Sequence, residues 1–362
     1  KMIYRVLCVK RVSKMAFADI PVSTQTFTVR SNIQHIELHR FYDELQPMDP
    51  DSYQSSADSD GARKGQREAA ILCVKYQQHK KGCDPEKDLK TKRKRTVAKE
   101  QEAPKRNFLN CITLIIQIEK RINIKIFKNG VFQLTGCKDI NNVRRCIKLI
   151  LTELSKANES TKKNTTTSEP EPNPTDDPQP PTTCFQFEEG SDDFVIYIKS
   201  AMRNIDFDLG FKVNRTLLAK RLSCIYDDDD DVIIPDAIGN KMDVKVKLRI
   251  TRDELEHLPI TKITNPTHPQ PKEEEVLYKN CLHIIEPDKK KLEAKMKDKF
   301  VSISVFQNGK VLLSAMDASI QEKYYDWFTH LIAEIEEDIK PPVLPKKTFL
   351  VGKSRQKTKL VI

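Results

Sequence analysis

Two stretches decide the fold: Ile124-Lys-Ile-Phe-Lys-Asn-Gly-Val-Phe-Gln-Leu-Thr-Gly136 and Ile303-Ser-Val-Phe-Gln-Asn-Gly-Lys-Val-Leu-Leu-Ser-Ala315. Each alternates apolar and polar residues on either side of a Phe-x-Asn-Gly turn. Asn-Gly flanked in this way predicts a hairpin, because these residues tolerate the positive φ of a tight turn. Period-two alternation then sorts the faces. Ile124, Ile126, Phe132 and Leu134 point to a core, and Lys125, Phe127, Gln133 and Thr135 point away from it. In the second copy Ile303, Val305, Val311 and Leu313 go inward, while Ser304, Phe306, Leu312 and Ser314 go outward. The pairing in the first copy requires an odd loop centred on Gly130, so a three-residue turn is expected.

Working outward, each hairpin is followed by a stretch with helical spacing. Ile140, Val143, Ile147, Ile150, Leu151 and Leu154 form one apolar stripe. Ile320, Tyr324, Trp327, Phe328, Leu331 and Ile335 form the other. Asp139 and Asp317 are the expected N-caps. Each copy has an opening strand and short helix, Ser23–Val29 with Leu38–Leu45 and Asn204–Leu209 with Asn214–Leu222. Ahead of the hairpins, Phe108–Ile116 matches Tyr278–Ile285, which predicts a second paired strand. The expected fold class is α+β: a duplicated unit with an antiparallel sheet and helices on one face.

The breaks are equally legible. Residues 1–20 read as an N-terminal extension, and Met15 is a candidate start. The first repeat spans 21–155 with an insertion at about 49–106, and the second spans 184–340 with an insertion at about 226–275. Between them, 156–183 is rich in Ser, Thr, Pro and Asn and reads as a disordered linker. Lys90–Arg95 is a basic run, Asp227–Asp231 an acidic one, Thr261–Glu275 a Pro-containing loop, and 341–362 a basic tail. The 362 residues carry 62 Lys+Arg against 52 Asp+Glu, a net charge of +10. That balance suits an acidic partner such as nucleic acid. No stretch approaches the roughly 18 apolar residues of a spanning helix. The nine Cys form no C-x-x-C pair and have no clustered His, so neither a metal nor another cofactor is expected. Those inside apolar runs read as small buried hydrophobes in a reducing compartment. No nucleophile–base pair or phosphate-binding glycine loop points to an enzyme.

The doubled strand–Phe-x-x-Gly–strand–long-helix unit resembles the TATA-box-binding protein family. The resemblance lies in the two hairpins, in Thr135-Gly136 after the first, and in Arg203-Asn-Ile205 with Phe211-Lys-Val and Leu217 downstream. It covers about half the chain, and the insertions look like those of divergent versions encoded by large DNA viruses. It implies a pseudo-symmetric saddle, a curved antiparallel sheet with helices on the convex face. The concave face would sit on the minor groove of A·T-rich promoter DNA and bend it. Such a factor would act with a B-type initiation factor and RNA polymerase, as a monomer on DNA, in the nucleus or a cytoplasmic viral factory.

Carried over residue by residue, the resemblance implies DNA wedges at Phe127 and Phe306, with partners Phe108 and Tyr278. Leu109 and Leu277 are neighbouring candidates. Implied minor-groove contacts are Thr24, Thr26, Thr28, Gln133, Thr135, Asn204, Leu312 and Ser314. Arg121, Lys125, Lys128 and Lys310 could reach phosphates. Tyr278 departs from the family's Phe, and Thr24 stands roughly where the first repeat's Asn belongs. Asp206 and Asp208, facing a groove, would repel phosphate. These acidic residues favour a different class of function: a protein-interaction scaffold on the same fold that has lost most DNA binding.

Overall fold

The computed structural model describes residues 15–49, 69–84, 110–165, 183–226, 232–233, 242–285 and 299–342. The first half runs β1 (Val22–Ser31), β2 (Ile33–Ile36), α1 (Leu38–Glu44), β3 (Ala70–Tyr76), β4 (His79–Gly82), β5 (Cys111–Gln117), β6 (Arg121–Phe127), β7 (Val131–Cys137) and α2 (Ile140–Thr165). The second opens with β8 (Phe185–Phe187), β9 (Val195–Asp208), α3 (Arg215–Ile225), β10 (Val232–Ile233), β11 (Asp243–Arg249) and α4 (Arg252–Glu256). It continues with β12 (Pro259–Thr264), β13 (Lys272–Leu277), α5 (Tyr278–Ile285), β14 (Phe300–Phe306), β15 (Lys310–Ala315) and α6 (Ala318–Ile339). The protein is α+β.

The described strands build one large antiparallel sheet in the order β10-β11-β14-β15-β9-β1-β7-β6-β5-β3-β4. Reading outward from the central β9–β1 pair, each half places its opening strand, then the second strand of the hairpin, then the first; beyond these lie β5, β3 and β4 in the first half and β11 and β10 in the second. The β12–β13 hairpin attaches beside β9, and β2 pairs with β8 in a small separate sheet.

One face of the sheet is apolar and carries the helices. In the first half Ile124, Ile126, Phe132 and Leu134 are fully buried with Phe41 of α1 and with Val143, Ile147, Ile150 and Leu154 of α2. In the second, Ile303, Val305, Val311 and Leu313 are buried with Leu218 and Leu222 of α3 and with Phe328, Ile332 and Ile335 of α6. Truncating a side chain as large and as buried as Phe132 costs about 3–5 kcal/mol. Both helix starts carry their Asp caps. Asp139 Oδ1 accepts from the Asn142 amide at 3.0 Å, and the Asp317 side chain accepts from the Ser319 amide. In α6 the fully packed tyrosine is Tyr325. Tyr324 is half-buried and donates its hydroxyl to the Arg249 carbonyl at 3.0 Å.

Both hairpins have three-residue loops. Ile126 pairs with Phe132 and Val305 with Val311, so the first loop is centred on Asn129, one residue before the expected Gly130. The glycines close the turns with φ of +70° and +88° at Gly130 and Gly309. A Cβ at Gly130 would stand 2.2 Å from the Ile33 carbonyl oxygen, and one at Gly309 2.1 Å from that of Phe211. Backbone approach and positive φ therefore both require glycine there.

Four sequence expectations change. The helix α2 continues through Lys156 to Thr165, into the expected linker. Leu154 and Ala157 are buried, and the Asn158 side chain accepts from the Cys184 amide at 3.0 Å. The stretch read as a Pro-containing loop at Thr261–Glu275 contributes to the β12–β13 hairpin, in which Ile260 and Ile263 point to opposite faces and are buried in different core clusters. The expected first insertion holds β3, which pairs with β5 as part of the sheet. Finally, Tyr278–Ile285 is a helix. The sheet slot matching β5 is taken by β11, which pairs with β14. Tyr278 and Cys281, one helical turn apart, turn a single face into the core. The Lys90–Arg95 run, the Asp227–Asp231 run and the stretch from Lys346 lie outside the described residues.

Six of the described cysteines are buried. Burial pushes the thiols of Cys137 and Cys184 up to about 12, as expected of small hydrophobes in a core. No group of three or more His, Cys, Asp or Glu suited to a metal occurs among the described residues. No described helix is long and apolar enough to cross a membrane.

Candidate nucleic-acid interface

The face of the sheet away from the helices is built by alternation alone. Because Ile205, Phe207, Val311 and Leu313 pack toward α6, their neighbours Asn204, Asp206, Leu312 and Ser314 emerge on the other side. Directly opposed residues then form transverse rows. One row runs Lys247, Ser302, Ser314, Asn204, Thr24. Another runs Thr26, Thr135, Asn123. A third runs Lys199, Thr28, Gln133, Lys125, Thr113, Lys75. The middle of the face is thus made of hydroxyls and amides.

All eight residues expected to line this face do so. Thr135 is exposed, Thr26 is buried, and Thr24, Thr28, Gln133, Asn204, Leu312 and Ser314 are half-buried. Asn204 Oδ1 is buried with no hydrogen-bond partner among the described residues. Its pairing also corrects the sequence expectation about its counterpart. Asn204 opposes Ser314 as Thr26 opposes Thr135, so Thr26 rather than Thr24 holds the matching place in the first half.

Phe127 and Phe306 occupy equivalent positions beside the two loops, each half-buried. Phe127 opposes Cys111 and Phe306 opposes Asp243. Phe306 also lines a cavity of about 1130 Å³ together with Phe207, Asp206, Asp208, Lys310 and Met242. Phe108 and Leu109 lie outside the described residues. Tyr278 is not on an open face. It is 3% exposed in α5, with the Lys199 ammonium 3.6 Å from its ring centre. Leu277 closes β13 and is half-buried. The insertion therefore lays α5 over the sheet where Tyr197 and Lys199 emerge. Burial raises the Cys281 thiol there, against the lowering effect of Lys199.

Of the expected cations, Lys128 and Lys310 are exposed at the loops, whereas Lys125 and Arg121 are half-buried along β6. Three more were missed. Lys245 opposes Ser304, Lys247 opposes Ser302, and Arg249 opposes Phe300, with Lys247 and Arg249 each within 6 Å of the Phe300 ring centre (5.8 and 5.9 Å). Met242, just before β11, is 79% exposed and shares the cavity with Phe306. The signal for the three cations was the alternation Asp243-Val-Lys-Val-Lys-Leu-Arg249, hidden by its place inside an apparent insertion, and Met242 just ahead of it carried no signal of its own.

Two pseudo-equivalent half-sheets, with one face packed against α1, α2, α3 and α6 and the other made largely of small polar residues and covered by α5 only around Lys199, define the class: a duplicated antiparallel-sheet protein. Comparison with known proteins narrows it. No family model matches the chain. A TATA-box-binding protein-like protein of Acanthamoeba polyphaga mimivirus is 34% identical over 145 residues, 37% of this chain and 34% of that one. An uncharacterized protein of Invertebrate iridescent virus 6 is 25% identical over 238 residues, 63% of this chain and 61% of that one. The chain spans less than two thirds of either relative. Among solved structures, Methanococcus jannaschii TBP aligns over 87% of this chain and 98% of its own, at 12% identity and a TM-score of 0.37. That score is too low to equate the two architectures, and the fold stands on its own strand order. The chain is thus a divergent relative of a virus-encoded TATA-box-binding protein-like protein over part of its length.

Proposed function

We propose that the free face binds and bends A·T-rich duplex DNA through the minor groove, as a transcription initiation factor without catalytic activity. The observation that carries this reading is the layout of that face: small polar side chains in the middle and one half-buried hairpin Phe in each half. Hydroxyls and amides suit the sparse acceptors of the minor groove. Phe127 and Phe306 are the side chains to enter base steps, the use that minor-groove binders make of apolar wedges. In the second half Met242 replaces Tyr278 as the companion of the hairpin Phe. Phosphates fall to Lys125, Lys128, Lys310 and the Lys245–Arg249 stripe. The role calls for a B-type initiation factor and RNA polymerase as partners, with the chain a monomer on DNA in the nucleus or a cytoplasmic viral factory.

Competition binding across a salt series tests this reading. An A·T-rich duplex should outcompete a G·C-rich one, and affinity should fall steeply with salt. Equal affinity for both duplexes would overturn it. A second reading, a protein-interaction scaffold, draws on the exposed Asp206 and Asp208 and on α5 over Lys199. It predicts no preference for either duplex at any salt.

A further inference from the structure

The two hairpins are anchored by matching backbone bonds. Ser31 and Ile36 donate their amides to the Gly130 and Lys128 carbonyls at 3.1 and 2.8 Å. Leu209 and Val213 do the same for Gly309 and Gln307, both at 3.0 Å. The side chains differ. In the first half the Ser31 hydroxyl also donates to the Gly130 carbonyl at 2.8 Å. Arg30 Nη1 donates to the Asn129 carbonyl at 2.7 Å, its Nη2 lies 3.7 Å from Glu188 Oε1 with the side chain only 12% exposed, and its Nε is buried without a hydrogen-bond partner. The equivalent of Arg30 in the second half is Asp208. Arg30 opposes Val131, the first residue after the first loop, and Asp208 opposes Lys310, the first after the second. A carboxylate offers no donor to a loop carbonyl. Asp208 instead accepts from the Gly210 amide at 2.8 Å and lines the cavity beside Phe306.

We propose that Arg30 is the positioning residue of the first hairpin: it holds the Phe127 loop in a fixed attitude, whereas Asp208 leaves the Phe306 loop free to adjust over its cavity. A guanidinium on a mostly buried side chain, bonded to a loop carbonyl, ties that loop to the central strand, and a bond from a charged donor is among the stronger ones a loop can have. The consequence for DNA rests on the proposed function: the first wedge would be preformed and the second would settle on contact.

The exchange arm of the test uses the full chain without DNA. Amide hydrogen exchange at 128–130 is compared between wild type, Arg30→Ala and Arg30→Lys. Loss of this bond is expected to speed exchange there by about tenfold. Exchange at Ile124 and Leu134 in the flanking strands, and at 307–309 in the second loop, should stay unchanged. The Lys variant should lie between. Unchanged exchange at 128–130, or uniform acceleration through β6 and β7, would overturn the positioning role. A bending measurement on an A·T-rich duplex forms the second arm, in which Arg30→Ala should lower the bend more than the affinity. A wild type that bends no DNA would count against the proposed function alone, and the exchange arm would still decide the role of Arg30.

Discussion

In the first half of the free face two cations stand near the centre, Arg30 on β1 and Lys125 on β6, and Lys75 stands farther out on β3. At the matching places in the second half stand Asp208 and Ser304, and Asp206 takes the place of Thr28. The second half's cations have moved out to β11, where Lys245 and Lys247 replace Thr113 and Ile115. Duplication thus preserved strand order, hairpin geometry and both Phe positions while redistributing charge. Packing fixes one face of each strand, because a shift of one residue would turn every apolar side chain to solvent. The other face is free to diverge, and here it has done so in sign as well as in side-chain type. A polyanion on this face would meet Lys125 in the first half and the Lys245–Arg249 stripe at the rim of the second.

The largest expected effects test what the halves share. Gly130→Ala and Gly309→Ala should each cost about 2–4 kcal/mol of stability in urea unfolding, since each adds a Cβ against a carbonyl at positive φ. A negligible loss at one site alone would show that the two turns are not equivalent. The next effect tests the displaced charge. Replacing Lys245, Lys247 and Arg249 together by Ala should reduce the slope of log affinity against log salt by about 2–3, and Lys125→Ala by about 1. The reverse order would mean that the first half bears most phosphate contacts. Smaller still, Asp206→Asn with Asp208→Asn should tighten DNA binding by up to about tenfold at low salt, a gain lost as salt screens it. No gain would place these carboxylates away from phosphate. Least of all, a maleimide should label Cys224, exposed on α3, without changing DNA affinity, while Cys137 and Cys184 resist it because burial keeps their thiols protonated.

Much of this was legible because period two is strict. The two hairpins assigned eight inward and eight outward residues, and every one lies on the expected side. Asp139 and Asp317 could be read as caps because a short acceptor just ahead of an apolar stripe has few other uses. The failure at Tyr278–Ile285 has a physical origin. Its apolar residues fit both helix and strand over so short a run, and its likeness to the β5 segment tipped the choice toward strand. Which segment fills a sheet slot depends on pairing with distant partners, and local pattern does not encode that. The same error hid Lys245, Lys247, Arg249 and Met242. Arg30 was invisible for another reason: its partner is a carbonyl of Asn129, 99 residues away.

The central claim is that Phe127 and Phe306 act on DNA from opposite halves of one face. It is tested most directly by fluorescence energy transfer between the ends of an A·T-rich duplex bound by wild type, Phe127→Ala, Phe306→Ala and the double variant. The account predicts shortening of the end-to-end distance by wild type, partial loss in each single variant and near-complete loss in the double, with non-specific affinity largely retained. Full shortening by the double variant, or none by wild type at saturation, would contradict it.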